Sequence, residues 1–181
     1  MNRRDALKSL LTLSGSVTVF GADKFLAGEH NADAEKVVQA FTPELLVLLD
    51  EIAETIIPTT PDSGGAKAAG IAAFMQEIVS DHSTAEERTV FFAAAPAIDA
   101  AARTTHNGRG FMELAPTERE AHLLTYEVAP RDPGYQAIKQ LTIWGYFTSE
   151  VGQTEALAYD PVPGVFHGDV PLEPGQKAWS Q

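Results

Sequence analysis

The spacing of apolar residues between Phe41 and Gly152 constrains the fold of this chain most strongly. Apolar side chains recur there at intervals of three and four residues, which places them on one face of a helix. Prolines, glycines and helix-capping residues divide this pattern into five stretches. The predicted helices begin after Thr42, at Ile71, after Thr84 with Glu87, after Thr117 with Glu120, and after Asp132. The first helix is predicted to stop at Pro58, the second near His82, the fourth before Pro130 and the fifth at Gly152.

A β-sheet has little support in this sequence. No run alternates apolar and polar residues between hairpin turns, and no internal repeat or heptad pattern is present. We therefore predict an all-α fold: a single compact helical bundle of about five helices, followed by a long proline-rich irregular C-terminal tail. The predicted segments are residues 1–30, an export signal and linker; residues 31–152, the helical domain; and residues 153–181, the tail.

The first residues, MNRRDALKSLLTLSGSV, resemble an export signal. The apolar part is too short and too often interrupted to span a bilayer, which takes about 20 mostly apolar residues. The paired Arg3 and Arg4 ahead of it point to the twin-arginine route, which carries folded proteins. An amphipathic first helix with two surface arginines is the alternative interpretation.

Charge and cysteine content exclude several classes of function. The formal net charge of -12 makes nucleic acid or an anionic membrane surface a poor partner, because both are bound through Lys and Arg. Membrane association is therefore expected only through the signal or a partner. The chain has no cysteine, which excludes disulfides, thiolate nucleophiles and cysteine-ligated iron–sulfur clusters.

The tail, residues 153–181, combines prolines that interrupt helices with apolar side chains. Burying one such side chain stabilises a protein by roughly 1.5–3 kcal/mol, so an exposed tail would leave a large gain unused. Two interpretations stay open: the tail binds a partner, or it folds back over its own helices.

Motifs for catalysis or metal binding are missing from the sequence. The histidines show no metal-ligand spacing, and no nucleotide-binding loop or nucleophile elbow occurs. We interpret His122 as an exposed or partly packed helix residue, Ser63 as a turn residue and Arg109 as a solvated surface charge. Asp50, Glu51 and Glu54 are interpreted as the polar face of the first helix.

Three stretches carry a family resemblance: AETIIPTTPDSGGAKAAGIAAFMQEIV, LTIWGYFTSEVGQTEALAYDPVPG and GDVPLEPGQKAW. Together they resemble the gluconate 2-dehydrogenase subunit 3 family, small twin-arginine-exported subunits of bacterial sugar and polyol dehydrogenases. Where the family usually has a Pro-Gly-Ala run after the first Pro-Thr stretch, this chain has Gly64, Gly65 and Ala66.

The resemblance implies a partner and a cellular location. The partner would be a large FAD-dependent dehydrogenase of the glucose–methanol–choline type, with a cytochrome c subunit, and thus haem, in a third chain of some complexes. This chain would carry no cofactor and no catalytic residue, and its signal would export both proteins to the periplasm, where the complex can associate with the inner membrane. The resemblance and the apolar tail together give a hypothetical set of partner-binding residues: Tyr146, Phe147, Tyr159, Pro161, Pro163, Phe166, Pro171, Leu172, Pro174 and Trp179.

Two other functions stay open at this point. The chain could also shape the substrate entrance of the dehydrogenase, with Arg109 or His167 as candidates, or it could be a free periplasmic interaction module. In addition, Tyr146 and Phe147 could be ordinary core aromatic residues rather than partner contacts.

Overall fold

The computed structural model describes residues 41–128, 130–162, 164–165, 171 and 173–180. Five α-helices make up most of these residues, which confirms the predicted all-α class. They are α1 (Pro43–Ile56), α2 (Ile71–His82), α3 (Ala85–Thr105), α4 (Pro116–Leu124) and α5 (Pro133–Thr148). Short 3₁₀ helices, Phe111–Glu113 and Thr125–Glu127, flank α4.

Four of the predicted helix starts are confirmed: that of α2 at Ile71, and three that have a side-chain cap. The Thr42 hydroxyl accepts from the backbone amide of the third residue of α1, and the Asp132 carboxylate does the same for α5. At α3, the Thr84 hydroxyl accepts from the Glu87 amide at 3.1 Å while the Glu87 carboxylate accepts from the Thr84 amide at 2.7 Å. Each cap satisfies backbone donors that a helix start leaves without partners.

The predicted start of α4 was wrong by two residues. The capping residue is Ala115 instead of Thr117, and the helix begins at Pro116. Pro suits the first helical position because its fixed φ is already helical and its missing N–H would have no partner there. The Glu118 carboxylate then accepts from the Ala115 amide at 2.8 Å, so the acidic half of a capping box works here without a hydroxyl.

The predicted end of α5 was also wrong. The helix ends at Thr148, and Gly152 begins a π-helical turn, Gly152–Ala156. The Ser149 backbone is extended, and its hydroxyl donates to the Tyr146 carbonyl at 2.7 Å and accepts from the Gly152 amide at 3.1 Å. Gly152 lies so close to α5 that a Cβ atom there would be 2.0 Å from the Tyr146 carbonyl oxygen. The glycine therefore allows a close approach instead of stopping a helix.

Helix α5 lies at the centre of the bundle, in contact with α1, α2 and α3. It buries Ile138, Leu141 and Thr142 almost completely, and the Thr142 hydroxyl donates to the Ile138 carbonyl at 2.8 Å. The core contains Tyr135 from α5 and large side chains from the elements around it: Leu49, Ile52, Ile71, Met75, Val79, Phe91, Ile98, Phe111 and Leu123. Such a core supplies most of the free energy of folding.

The tail contains a short parallel strand pair that the sequence did not predict. Strand β1 (Ala158–Tyr159) pairs with β2 (Trp179–Ser180), with Ala158 opposite Trp179 and Tyr159 opposite Ser180. The Ala158 amide donates to the Ala178 carbonyl at 2.8 Å. The pairing brings both ends of the tail to the same place, beside the π-helical turn. None of the helices in the described ranges is both long and apolar enough to cross a membrane.

Candidate partner-binding surface

A loop between α1 and α2, residues 57–70, is held in one conformation by Glu54. The Glu54 carboxylate accepts from the Thr59 amide at 2.9 Å and the Thr59 hydroxyl at 2.7 Å, and its other oxygen accepts from the Lys67 amide at 2.9 Å. A Cβ atom at Gly65 would be 2.5 Å from this carboxylate, so only glycine fits there. Glu54 lies on the polar side of α1, as interpreted, but it also holds the loop, because its hydrogen-bond partners are in a segment that helix periodicity does not describe.

These hydrogen bonds determine the ionisation of Glu54. Partial burial by itself would raise the pKa of the Glu54 carboxyl group, but the hydrogen bonds from Lys67 and Thr59 outweigh it and lower the pKa below the usual value. The carboxylate is therefore charged at neutral pH. Its neighbour Glu51 also differs from a free surface residue, since its carboxylate is paired with Lys67 and Arg119.

Tyr146 joins this loop to α5. Its hydroxyl donates to the Gly64 carbonyl at 2.8 Å and lies 2.5 Å from the Ser63 Oγ. The Tyr146 side chain is buried within the chain. It therefore fixes the position of the loop, and any contribution to partner binding would be made through the residues that it positions.

Phe147, the next residue, lies at the surface. Its side chain is 40% exposed and lines a cleft of about 380 Å³ between the loop, the end of α5 and the base of the tail. We call this the Phe147 cleft. Its apolar lining comes from Ile56, Ile57, Pro58, Phe147 and Ala156, and its polar lining from Thr60, Asp62, Ser63, Tyr146, Glu155 and Lys177.

The described part of the tail leaves four of its large apolar side chains mostly in solvent. Tyr159, Val162, Val165 and Trp179 each expose more than half of their accessible surface. The predicted partner-binding residues Pro161, Pro171 and Pro174 are exposed too, whereas Pro163, Phe166 and Leu172 lie outside the described residues, as do Arg3 and Arg4.

One hydrogen bond attaches the base of the tail to the helical domain: the Glu155 carboxylate accepts from the Gly64 amide at 2.7 Å. Within the tail, the Lys177 ammonium group donates to the Glu155 carbonyl. The π-helical turn therefore links the tail to the same loop that Glu54 and Tyr146 hold. The loop, the Phe147 cleft and the tail base form one continuous surface.

Arg109, a candidate for contact with an anionic ligand, is paired within the chain. Its guanidinium donates to both oxygens of the Glu118 carboxylate, at 2.9 and 2.7 Å. The hydrogen bond from Arg109, followed by that from the Ala115 amide, lowers the pKa of Glu118 to about 2. The other candidate, His167, lies outside the described residues.

His122 is buried, so its interpretation as an exposed or partly packed residue was wrong. Its Nε2 donates to the Ile98 carbonyl at 3.2 Å, and its ring contacts those of His106, Phe111 and Tyr126. Burial lowers the pKa of His122, and the hydrogen bond to Ile98 only partly opposes this effect. Within the part of the chain that the structure describes, no three His, Cys, Asp or Glu side chains are grouped as a metal site.

Comparison with known proteins identifies the family. A search of curated proteins and a search of solved structures each find no match. The model of the family described as gluconate 2-dehydrogenase subunit 3 matches residues 43–164, which include all five helices, the loop, Phe147 and the start of the tail. This match covers well over half of the chain, and it confirms the resemblance found in the sequence. The chain belongs to the gluconate 2-dehydrogenase subunit 3 family.

Proposed function

We propose that this protein is the non-catalytic small subunit of a periplasmic FAD-dependent sugar or polyol dehydrogenase. The family is that of an accessory subunit in a dehydrogenase complex. In our proposal the large partner holds FAD and carries out the oxidation, and a cytochrome c accepts electrons where a third subunit is present. This chain binds the large subunit, stabilises it and provides the export signal for both.

The observation that carries the proposal is the exposure of the tail's apolar side chains. Tyr159 and Trp179 are large aromatic residues, the type that contributes most to protein interfaces, and both are exposed on a paired backbone. An apolar surface of this kind on a chain of a subunit family is typical of a binding site for another protein. Proline-rich segments also lose little conformational entropy on binding, which favours partner binding over a free tail.

The proposed function is tested by separating export from binding. Replacing both signal arginines, Arg3→Lys and Arg4→Lys, preserves their charge but removes the twin-arginine signal. We expect the flavoprotein to remain in the cytoplasm with its FAD bound when it is co-expressed with this variant, and to reach the periplasm with the wild-type chain. A flavoprotein that reaches the periplasm equally well with both chains would contradict the export role.

The role in substrate entry has less support. Its one candidate among the described residues is Arg109, whose guanidinium already forms a bidentate pair with the Glu118 carboxylate. A free periplasmic interaction module is less well supported, because the family is that of a dehydrogenase subunit. We therefore prefer the subunit function.

A further inference from the structure

The Phe147 cleft has the properties of a preformed binding site for a side chain of another protein. Its apolar floor comes from Ile57, Pro58 and Ala156 together with Phe147 itself. Phe147 remains 40% exposed although it lies next to the buried Tyr146, and the rings of the two residues meet edge to face at 5.2 Å. An exposed aromatic residue in a partly apolar cleft is typical of the centre of a protein interface.

The walls of the cleft are fixed before any partner binds. On one side, Glu54 holds the loop through Thr59 and Lys67. On another, Tyr146 holds Ser63 and Gly64, and the Glu155 carboxylate accepts from the Gly64 amide. Because the site is already ordered, binding there costs little conformational entropy.

The rim of the cleft is acidic. Asp62 is exposed and makes no hydrogen bond or ion pair with the described residues, and Glu155 adds a second carboxylate. Among the described residues that line the cleft, Lys177 is the one cation, and its ammonium group donates to the Glu155 carbonyl. A ligand that enters this cleft should therefore be apolar at its tip and carry positive charge beside it.

The charge of the whole chain argues against a second copy as the occupant. Two copies would each carry a formal net charge of -12, and their acidic rims would face each other. A partner with Lys or Arg beside an apolar side chain complements both the floor and the rim.

We propose that the Phe147 cleft receives an aromatic or aliphatic side chain of the dehydrogenase subunit, next to an Arg or Lys that pairs with Asp62. This inference rests on the proposed function and specifies where and by which chemistry the partner binds. The cleft adjoins the base of the tail through Lys177 and Ala156. The side-chain site and the exposed tail therefore form one interface.

Photo-crosslinking of the intact complex tests the location. The photoreactive residue p-benzoylphenylalanine replaces Phe147 in one variant and Val90 in a matched control, since both side chains are 40% exposed and Val90 lies on α3 outside the cleft. We expect crosslinks from position 147 to a peptide of the flavoprotein that contains Lys or Arg, and far fewer from position 90. Crosslinks from position 147 only to this chain itself or to a second copy, or equal yields at both positions, would overturn the proposal.

Affinity measurements test the chemistry. Phe147→Ala should raise the Kd of the complex about 30-fold, as expected for an aromatic residue at the centre of an interface. Asp62→Lys should weaken binding most at low salt, and Asp81→Lys, at an equally exposed position on α2, serves as the matched charge reversal outside the cleft. An unchanged Kd for both cleft variants would overturn the proposal while the subunit function stands. A wild-type chain that binds no flavoprotein would instead refute the proposed function itself.

Discussion

Glu54 offers the most informative perturbation of the fold. Its carboxylate accepts three hydrogen bonds, two from Thr59 and one from Lys67, and these hold the loop that forms one wall of the Phe147 cleft. Hydrogen bonds to a charged group contribute about 1.5–3 kcal/mol each when buried. Because this carboxylate is only partly buried, we expect Glu54→Ala to lower the free energy of unfolding by about 2–4 kcal/mol in total.

A smaller loss is expected for Glu54→Gln. One oxygen of the amide can still accept from Thr59, but its NH₂ group would face the Lys67 amide, which is also a donor. We expect this variant to lose about half as much as Glu54→Ala. Asp50→Asn is the matched control on the same helix, since Asp50 makes no hydrogen bond or ion pair with the described residues. Its effect should stay within about 0.5 kcal/mol.

Urea unfolding at neutral pH measures these differences, with a constant m value as the sign that the unfolded state is unchanged. Acid provides a second test. Since the pKa of Glu54 is lower in the folded protein than its ordinary value of 4.5, its contribution is present above that pH and is lost as the pH falls through the folded-state pKa. The gap between wild type and Glu54→Gln should therefore shrink in acid. A Glu54→Ala variant within about 0.5 kcal/mol of wild type would refute the account of the loop.

Three further predictions concern other parts of the chain. Gly152→Ala would place a Cβ atom 2.0 Å from the Tyr146 carbonyl oxygen. We therefore expect it to lower the free energy of unfolding by more than about 3 kcal/mol and to speed proteolysis of the tail. The control Gly175→Ala, in the tail, should leave the urea midpoint of the helical domain unchanged. Because burial lowers the pKa of His122, the unfolded state binds the proton more readily, and stability should fall as the pH drops below about 6.5; His122→Gln should show a weaker fall over the same range, and an identical pH profile would contradict this assignment. Arg109→Ala should change neither the KM of the complex nor its yield, since the guanidinium is paired with Glu118, and a raised KM would instead favour a role in substrate entry.

The helices could be predicted because their signals are local. The capping residues Thr42, Thr84 and Asp132 lie within three residues of the amides that they accept from. The start of α4 was predicted wrongly because two local signals competed. At α4, Pro116 with Glu118 prevailed over Thr117 with Glu120, because a proline at the first helical position fixes the start of the helix.

The candidate surface was only partly predictable, because its contacts join residues far apart in sequence. Tyr146 and Ser63 are 83 positions apart in the sequence, and their hydroxyl groups are in hydrogen-bond contact. No periodicity in the sequence indicates that pair. Phe147 was predicted from the resemblance, but its cleft depends on a loop whose order comes from Glu54. A carboxylate on a helix followed by a loop rich in Thr and Gly is a signal that could have indicated this role, since such loops present free backbone amides.

Co-purification tests most directly whether this chain is a subunit bound to a flavoprotein. The chain is tagged internally at the exposed turn formed by Asn107 and Gly108, which leaves both the signal and the tail intact. It is then isolated from the periplasm of its native host, and the absorbance spectrum of the eluate is recorded. A large protein that co-elutes in fixed proportion and shows a flavin spectrum is the predicted result. A colourless, monomeric eluate would contradict the account.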